Sequence, residues 1–132
     1  MRHVAIILPV YCRLILSGEK TIECRLTKTR RVPFERVGHG DLIYIKERGG
    51  AIVGEANAGK VLSFDGLRPE DVDAIRREHN EGILGPVERW EAMRSSRYGT
   101  LIWLEDVRAC DAPPDLSGVS IGARRSGWLT LD

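Results

Sequence analysis

Lys20, Glu23 and Arg25 fall within one strand length near the start of the chain and could act together on a polar ligand. Arg offers a planar fork for bidentate contacts, and Lys offers a compact charge. Glu can accept hydrogen bonds from an exocyclic amine or act as a general base. Such a group could bind a phosphate, a base edge or a carbonyl undergoing hydrolysis. It could also be a plain surface strand, in which a Glu23–Arg25 ion pair contributes ~0–1 kcal/mol.

The flanking residues predict a helix and then a strand that position this group. Apolar residues recur at helical spacing after Pro9, and Gly18 stands where a helix end needs a sharp turn. Polar and apolar residues then alternate as far as Thr27, which predicts a half-buried strand with Lys20 at its mouth. The buried side of this strand holds Ile22 and Cys24, and the presented side holds Thr21, Glu23 and Arg25.

Charge is distributed unevenly along a chain whose net charge is only +1. Residues 1–48 carry a net charge of +5, so the remainder carries −4. This asymmetry can create a basic face without a basic protein. The segment from Lys28 to His39 holds Pro33 and Gly38 and is predicted to be a loop, either solvated or anion-binding. Arg30 and Arg31 within it are candidate phosphate contacts.

Other motifs exclude several function classes. The segment Gly54–Lys60 matches the spacing of a phosphate loop, but Val61 replaces the required hydroxyl and β-like residues replace the required helix. The three cysteines and three histidines are scattered, which disfavours a zinc site or a disulfide framework. We therefore expect no metal and no cofactor. No apolar run approaches ~20 residues and no signal peptide is recognisable, so we expect a cytoplasmic protein.

The remaining segments predict an α+β protein. A buried strand near His3–Leu8 precedes the first helix, and further strands are expected at Leu42–Lys46 and over Ala51–Phe64, the latter as one long strand or two short ones. Two helices, one from Pro69 toward His79 and one over Pro86–Arg97, precede two final strands. Those strands cover Thr100–Cys110 and the end of the chain, from Gly127. Short strands with hairpin-like turns predict a small, mostly antiparallel β-barrel with a few flanking helices.

The segment around the ionisable group resembles the signature of the ASCH domain family, GxKxxExR. Gly18, Lys20, Glu23 and Arg25 occupy its four positions, behind an apolar helix. The segment from Gly40 to Ile45, the phrase Ile52-Val53-Gly54-Glu55 and the ending Gly127-Trp128-Leu129 also resemble the family. The resemblance implies a PUA-like β-barrel, and we expect residues 1–132 to form one such domain. It also implies interaction with RNA in a cleft lined by the signature.

Two catalytic subgroups of the family suggest an alternative function. One hydrolyses the acetyl amide of N4-acetylcytidine with a Thr, a Lys and a Glu, but Glu23 stands here where that subgroup has Thr. Other members are described as ribonucleases that use a Tyr, a Lys and a Ser, which Tyr44, Lys46 and Ser126 could supply.

The expected function is therefore binding of RNA, a nucleotide or a modified nucleoside. The alternative is a small hydrolase of N4-acylcytidine or single-stranded RNA, in which Lys20 stabilises an oxyanion and Glu23 activates water. We expect no membrane partner. The predicted ligand-binding residues are Gly18, Lys20, Thr21, Glu23, Arg25, Tyr44, Lys46 and Ser126.

Overall fold

A computed structural model describes residues 1–119 and 127–131. Within these residues the chain forms six strands and three helices in the predicted order. The strands are β1 (Arg2–Ile7), β2 (Ile22–Thr27), β3 (Leu42–Glu47), β4 (Ile52–Asp65), β5 (Tyr98–Arg108) and β6 (Trp128–Thr130). The helices are α1 (Pro9–Leu16), α2 (Pro69–Ile83) and α3 (Val87–Met93).

The six strands form one sheet in the order β2-β5-β4-β3-β1-β6. β1 pairs with β3 in parallel, and the other four pairings are antiparallel. The sheet curls strongly enough for its two edges to meet. Arg25 on β2 donates hydrogen bonds to the carbonyl oxygens of Ile6 and Gly127, which lie on or beside the opposite edge. The predicted α+β class and small, mostly antiparallel barrel are confirmed.

The two sides of strand β2 face different apolar clusters. Ile22, Cys24 and Leu26 pack against α2 and α3, in a cluster that also contains the fully buried Trp90 and Leu101. The other side of β2 faces the barrel interior, where α1 and the central strands form a second cluster. The strand is therefore buried on both sides up to Cys24, whereas its alternation predicted a half-buried strand. The presented side faces inward because the sheet curls around it.

Helix α2 is longer than its sequence predicts. Gly82 does not break it, and the helix continues to Ile83, after which Leu84 adopts the left-handed conformation with φ of 58°. The glycine is needed for close packing, since a Cβ there would stand 2.7 Å from Thr21 Oγ1 and 2.8 Å from Ile22 Cδ1. The Asn80 side chain accepts a hydrogen bond from the backbone N of Gly85 and donates one to its carbonyl oxygen. The backbone N of Thr21 donates to Gly82 O at 3.0 Å and so holds the end of α2 against the start of β2.

The phosphate-loop-like segment lies inside β4, a single strand of fourteen residues. A phosphate loop needs a helix after it, so this strand agrees with the prediction that the segment is not an NTPase motif. Register shifts occur between Glu55 and Asn57 and between Ala58 and Val61, so the long strand bends as it passes β5.

Candidate functional site

A cavity of about 170 Å³ opens between β1, the start of α1, β2 and the connection from α2 to α3. Within the described ranges, its polar lining consists of four cationic side chains, one carboxylate and one phenol. The lining residues are Ile6, Ile7, Leu8, Tyr11, Lys20, Glu23, Cys24, Arg25, Arg48, Ile83, Gly85 and Arg89. The structure thus brings together three of the signature residues, Lys20, Glu23 and Arg25. It also shows that the α2–α3 segment forms one wall of the cavity.

Glu23 supplies the carboxylate of the cavity and is only 5% exposed. Its Oε1 accepts a hydrogen bond of 3.1 Å from the backbone N of Cys24. Its Oε2 is buried without a hydrogen-bond partner among the described residues, and the nearest ion-pair contact is Arg25 Nη2 at 3.7 Å. Burial opposes ionisation of this carboxyl group, but Arg25, Lys20 and Arg89 outweigh it and hold its pKa below the usual range. Glu23 is therefore an anion near neutral pH.

Lys20, which the sequence places at the mouth of the strand, is buried. Gly18, with φ of 85°, turns the chain after α1, and the backbone N of Lys20 then donates to Leu14 O at 2.9 Å. The Lys20 ammonium donates to Ile22 O at 2.9 Å and to Ile83 O at 2.6 Å. The second of these acceptors is the last residue of α2, so the cation interacts favourably with the negative end of the helix dipole. Burial lowers the pKa of Lys20, and the charge of Glu23 partly offsets this effect.

Arg25 joins the cavity to both edges of the sheet. Besides its bonds of 3.2 Å to Ile6 O and 3.4 Å to Gly127 O, its guanidinium lies 5.5 Å from the ring centroid of Trp128. Trp128 is fully buried and donates from Nε1 to His3 Nδ1 at 3.2 Å. Arg25 therefore positions the walls of the cavity as well as contributing charge to it.

Arg48, Arg89 and Tyr11 line the cavity and were not predicted from sequence. Arg48 follows β3 and its backbone N donates to Ile7 O at 2.8 Å, while Arg89 lies near the start of α3. Both arginines are exposed at the cavity mouth. The Tyr11 ring lies 5.9 Å from Lys20 Nζ. No local sequence signal links these residues to the signature, because they are brought to it by the curl of the sheet and by helix packing.

Four other predicted ligand-binding residues do not line the cavity. Tyr44 is buried in a small apolar cluster with Val4 and Leu129. Lys46 donates from Nζ to Gly50 O at 2.6 Å, within the turn after β3. Thr21 is exposed beside the cavity wall, and its backbone N donates to the end of α2. Gly18 contributes by turning the chain and is not part of the lining.

The predicted phosphate contacts lie apart from the cavity lining. Arg30 forms an ion pair of 2.9 Å with Asp65 and stacks on the rings of Phe34 and Tyr98. Arg31 donates from Nε to a neighbouring hydroxyl in the same loop. The candidate Ser126 lies outside the described residues, as do Arg124 and Arg125 near the tail.

The chemistry available in the cavity is that of ions and hydrogen bonds. Burial raises the pKa of the Cys24 thiol to about 12, so it is not a ready nucleophile. The lining within residues 1–119 and 127–131 contains no Ser or Thr side chain. No group of three or more potential metal ligands is found over those residues. No helix in the described part of the chain is long and apolar enough to cross a membrane.

Comparisons with known proteins identify a domain family. The family model of the ASCH domain matches residues 6–110. The fold is similar to that of ASCH from Zymomonas mobilis, with 19% identity, a TM-score of 0.65, and coverage of 82% of this chain and 69% of that one. It is also similar to hypothetical protein PH0355, with 19% identity, a TM-score of 0.55, and coverage of 80% and 98%. Comparison with curated proteins gives no match. At this level of identity the structural similarities establish the fold alone.

Proposed function

The chain belongs to the ASCH domain family, and on that premise we propose that its cavity binds one nucleotide, either free or within single-stranded RNA. The observation that carries this proposal is the buried Glu23 Oε2, which has no hydrogen-bond partner among the described residues and lies in a cavity that is otherwise cationic. A buried carboxylate oxygen without a partner is costly, and a ligand that donates to it would remove that cost.

The size of the cavity supports a small inserted group. Sites for drug-sized ligands typically have volumes of ~300–1,000 Å³, and this cavity has about 170 Å³. It therefore suits a single base, with the sugar and phosphate of the ligand at its mouth. The bases of a double helix are stacked and cannot enter such a cavity, whereas the bases of unstacked single-stranded nucleotides can.

The polarity of the cavity favours a base that carries an amino group. Ionised Glu23 can only accept hydrogen bonds, and cytosine, adenine and guanine each offer an exocyclic amine, which uracil lacks. Lys20 uses two of its three N–H donors on backbone carbonyls, so a third remains available to a base oxygen or nitrogen. Cytosine is the smallest base that presents both an amine and a carbonyl.

A hydrolase is the second candidate, and the lowered pKa of Lys20 beside a carboxylate in a cavity is the observation that favours it. In that role Lys20 would stabilise an oxyanion and Glu23 would activate water, on N4-acylcytidine or single-stranded RNA. The lowered pKa of Glu23 makes it a weak base, and the described lining supplies no hydroxyl nucleophile apart from the phenol of Tyr11. Binding without turnover is therefore the better-supported function.

Calorimetric titration with cytidine, nucleotides and a short single-stranded RNA at low salt tests the proposal. We expect measurable binding, a preference for cytidine over uridine, and at least a tenfold loss of affinity in Glu23→Gln, since hydrogen bonds to charged groups contribute about 1.5–3 kcal/mol. Glu19→Gln is the matched control, because Glu19 is exposed in the same segment. Absence of binding, or equal affinity in both variants, would exclude this role for Glu23.

Incubation of the same protein with N4-acetylcytidine and with single-stranded RNA tests the second candidate. Product formation that is lost in Glu23→Gln and retained in Glu19→Gln would establish a hydrolase. Product formation that both variants retain would assign the turnover to other residues.

A further inference from the structure

Two guanidinium groups of the cavity lining, those of Arg25 and Arg48, lie near Gly127. The position that a Cβ of Gly127 would occupy is 3.1 Å from Arg25 Nη1 and 3.8 Å from Arg48 Nη2. Gly127 has φ of 65°, a conformation that L side chains rarely adopt, so the space between the two groups stays open. Like charges on neighbouring side chains repel each other, and an anion placed between them would relieve that repulsion.

A third arginine of the cavity lining, Arg89, lies on α3. Neither Arg48 nor Arg89 forms a side-chain hydrogen bond or ion pair within the described residues. Several arginines elsewhere hold a carboxylate: Arg30 with Asp65, Arg94 with Asp73 and Arg108 with Glu55. Arg77 also lacks such a partner but is not part of the cavity lining. Arg48 and Arg89 therefore combine available donors with a shared position at the mouth.

The charge of the cavity also favours an anionic ligand. Arg25 and Lys20 lie beside Glu23 and hold backbone carbonyls, so most of their charge is directed into the protein. Arg89 also interacts electrostatically with Glu23, whereas the described residues give the Arg48 side chain no carboxylate partner. Both guanidinium groups keep N–H donors available to a ligand group outside the base pocket. A guanidinium matches the geometry of a phosphate because two parallel N–H groups can bind two of its oxygens.

We propose that Arg48 and Arg89 hold a phosphate of the ligand, so that the cavity selects a phosphorylated nucleotide over a free nucleoside. This inference rests on the proposed nucleotide-binding function and specifies its ligand class. The phosphate is either the monoester of a mononucleotide or a diester within RNA. The contact set differs from Arg30 and Arg31 in the basic loop, the candidate phosphate contacts predicted from the sequence.

Calorimetric titration at low salt separates these possibilities. The ligands are cytidine, its 5′- and 3′-monophosphates, and a short single-stranded RNA, each measured on the wild type and on Arg48→Gln, Arg89→Gln and Arg77→Gln. We expect the phosphorylated ligands to bind at least tenfold more tightly than cytidine. Arg48→Gln and Arg89→Gln should each weaken them about fivefold to tenfold and should weaken cytidine by a smaller factor. Arg77→Gln removes the same charge away from the cavity and should change affinity less than twofold.

The different ligands distinguish a phosphate monoester from a diester. They also distinguish a failure of the phosphate contact from a failure of nucleotide binding itself. A gain with the monophosphates identifies a mononucleotide ligand, and a gain with RNA alone identifies a diester. If cytidine, its monophosphates and the RNA all bind with equal affinity, the proposed phosphate contact is wrong, although the proposed base pocket stands. Effects of Arg48→Gln and Arg89→Gln no larger than that of Arg77→Gln would also overturn it. Absence of binding by every ligand would refute the nucleotide-binding function itself.

Discussion

Replacing Glu23 with Gln tests the electrostatic structure of the cavity without changing its shape. Gln retains an oxygen that can accept the 3.1 Å bond from the backbone N of Cys24. The change removes the attraction to Arg25 at 3.7 Å, and two unit charges about 4 Å apart interact with about 4 kcal/mol at an effective dielectric constant of about 20. The amide also avoids the desolvation cost of the carboxylate, which offsets part of this loss. We expect a destabilisation of about 3 kcal/mol near neutral pH, at the lower end for a broken buried ion pair.

The expected difference in the free energy of unfolding between wild type and Glu23→Gln becomes smaller in acid. The pKa of Glu23 is lower in the folded protein than in the unfolded chain. The stabilisation from its charge is therefore complete above the unfolded pKa of about 4.3 and is lost as pH falls through the folded value. The stability gap between wild type and Glu23→Gln should stay constant from about pH 7 to about pH 5 and narrow below that.

Urea denaturation followed by tryptophan fluorescence measures this gap at each pH. Glu19→Gln is the control, because Glu19 is exposed and, among the described residues, its carboxylate accepts a hydrogen bond only from the Ser17 hydroxyl. This change should alter the free energy of unfolding by less than about 0.5 kcal/mol. The reasoning is refuted if Glu23→Gln is as stable as wild type near neutral pH, or if the gap does not narrow in acid.

Three further outcomes follow from the packing. Arg25→Lys should lower the free energy of unfolding by about 1–3 kcal/mol in urea titrations, because an ammonium cannot reproduce the forked bonds to both sheet edges. Gly54→Ala should cost about 1–3 kcal/mol and lower the Tm, since its Cβ would stand 2.7 Å from an α1 side-chain carbon and 3.0 Å from a backbone oxygen. A thiol reagent should modify Cys110 first, because Cys110 is partly exposed whereas Cys12 and Cys24 are buried, and burial raises the pKa of Cys12 to about 11 and that of Cys24 to about 12.

Matched controls make these outcomes decisive. Arg36→Lys alters an exposed loop arginine, and Gly118→Ala adds a methyl group that meets no heavy atom within 4 Å. Both should leave stability nearly unchanged. Losses equal to those of Arg25→Lys and Gly54→Ala would contradict the packing argument. Equal reaction rates of all three thiols in the native protein would contradict the burial of Cys12 and Cys24.

Much of the fold follows from local patterns in the sequence. The period of two after Lys20 marks β2, and the apolar run before Pro9 marks β1, because strand and helix periodicities depend on neighbouring residues alone. Element order and the α+β class were predictable for the same reason. Helix α2 runs past its predicted end because Gly82 meets the Thr21 side chain across sixty residues of chain, and no local pattern encodes that contact.

The sequence by itself determined that Glu23 and Arg25 share one side of a strand and that Lys20 precedes them, since residues two apart on a strand point the same way. Only the tertiary structure decided that this side faces a buried cavity. The curl of the sheet and the packing of α2 and α3 place Arg48 and Arg89 at its mouth. These contacts join residues far apart in the chain, so their geometry depends on the whole fold and not on any segment.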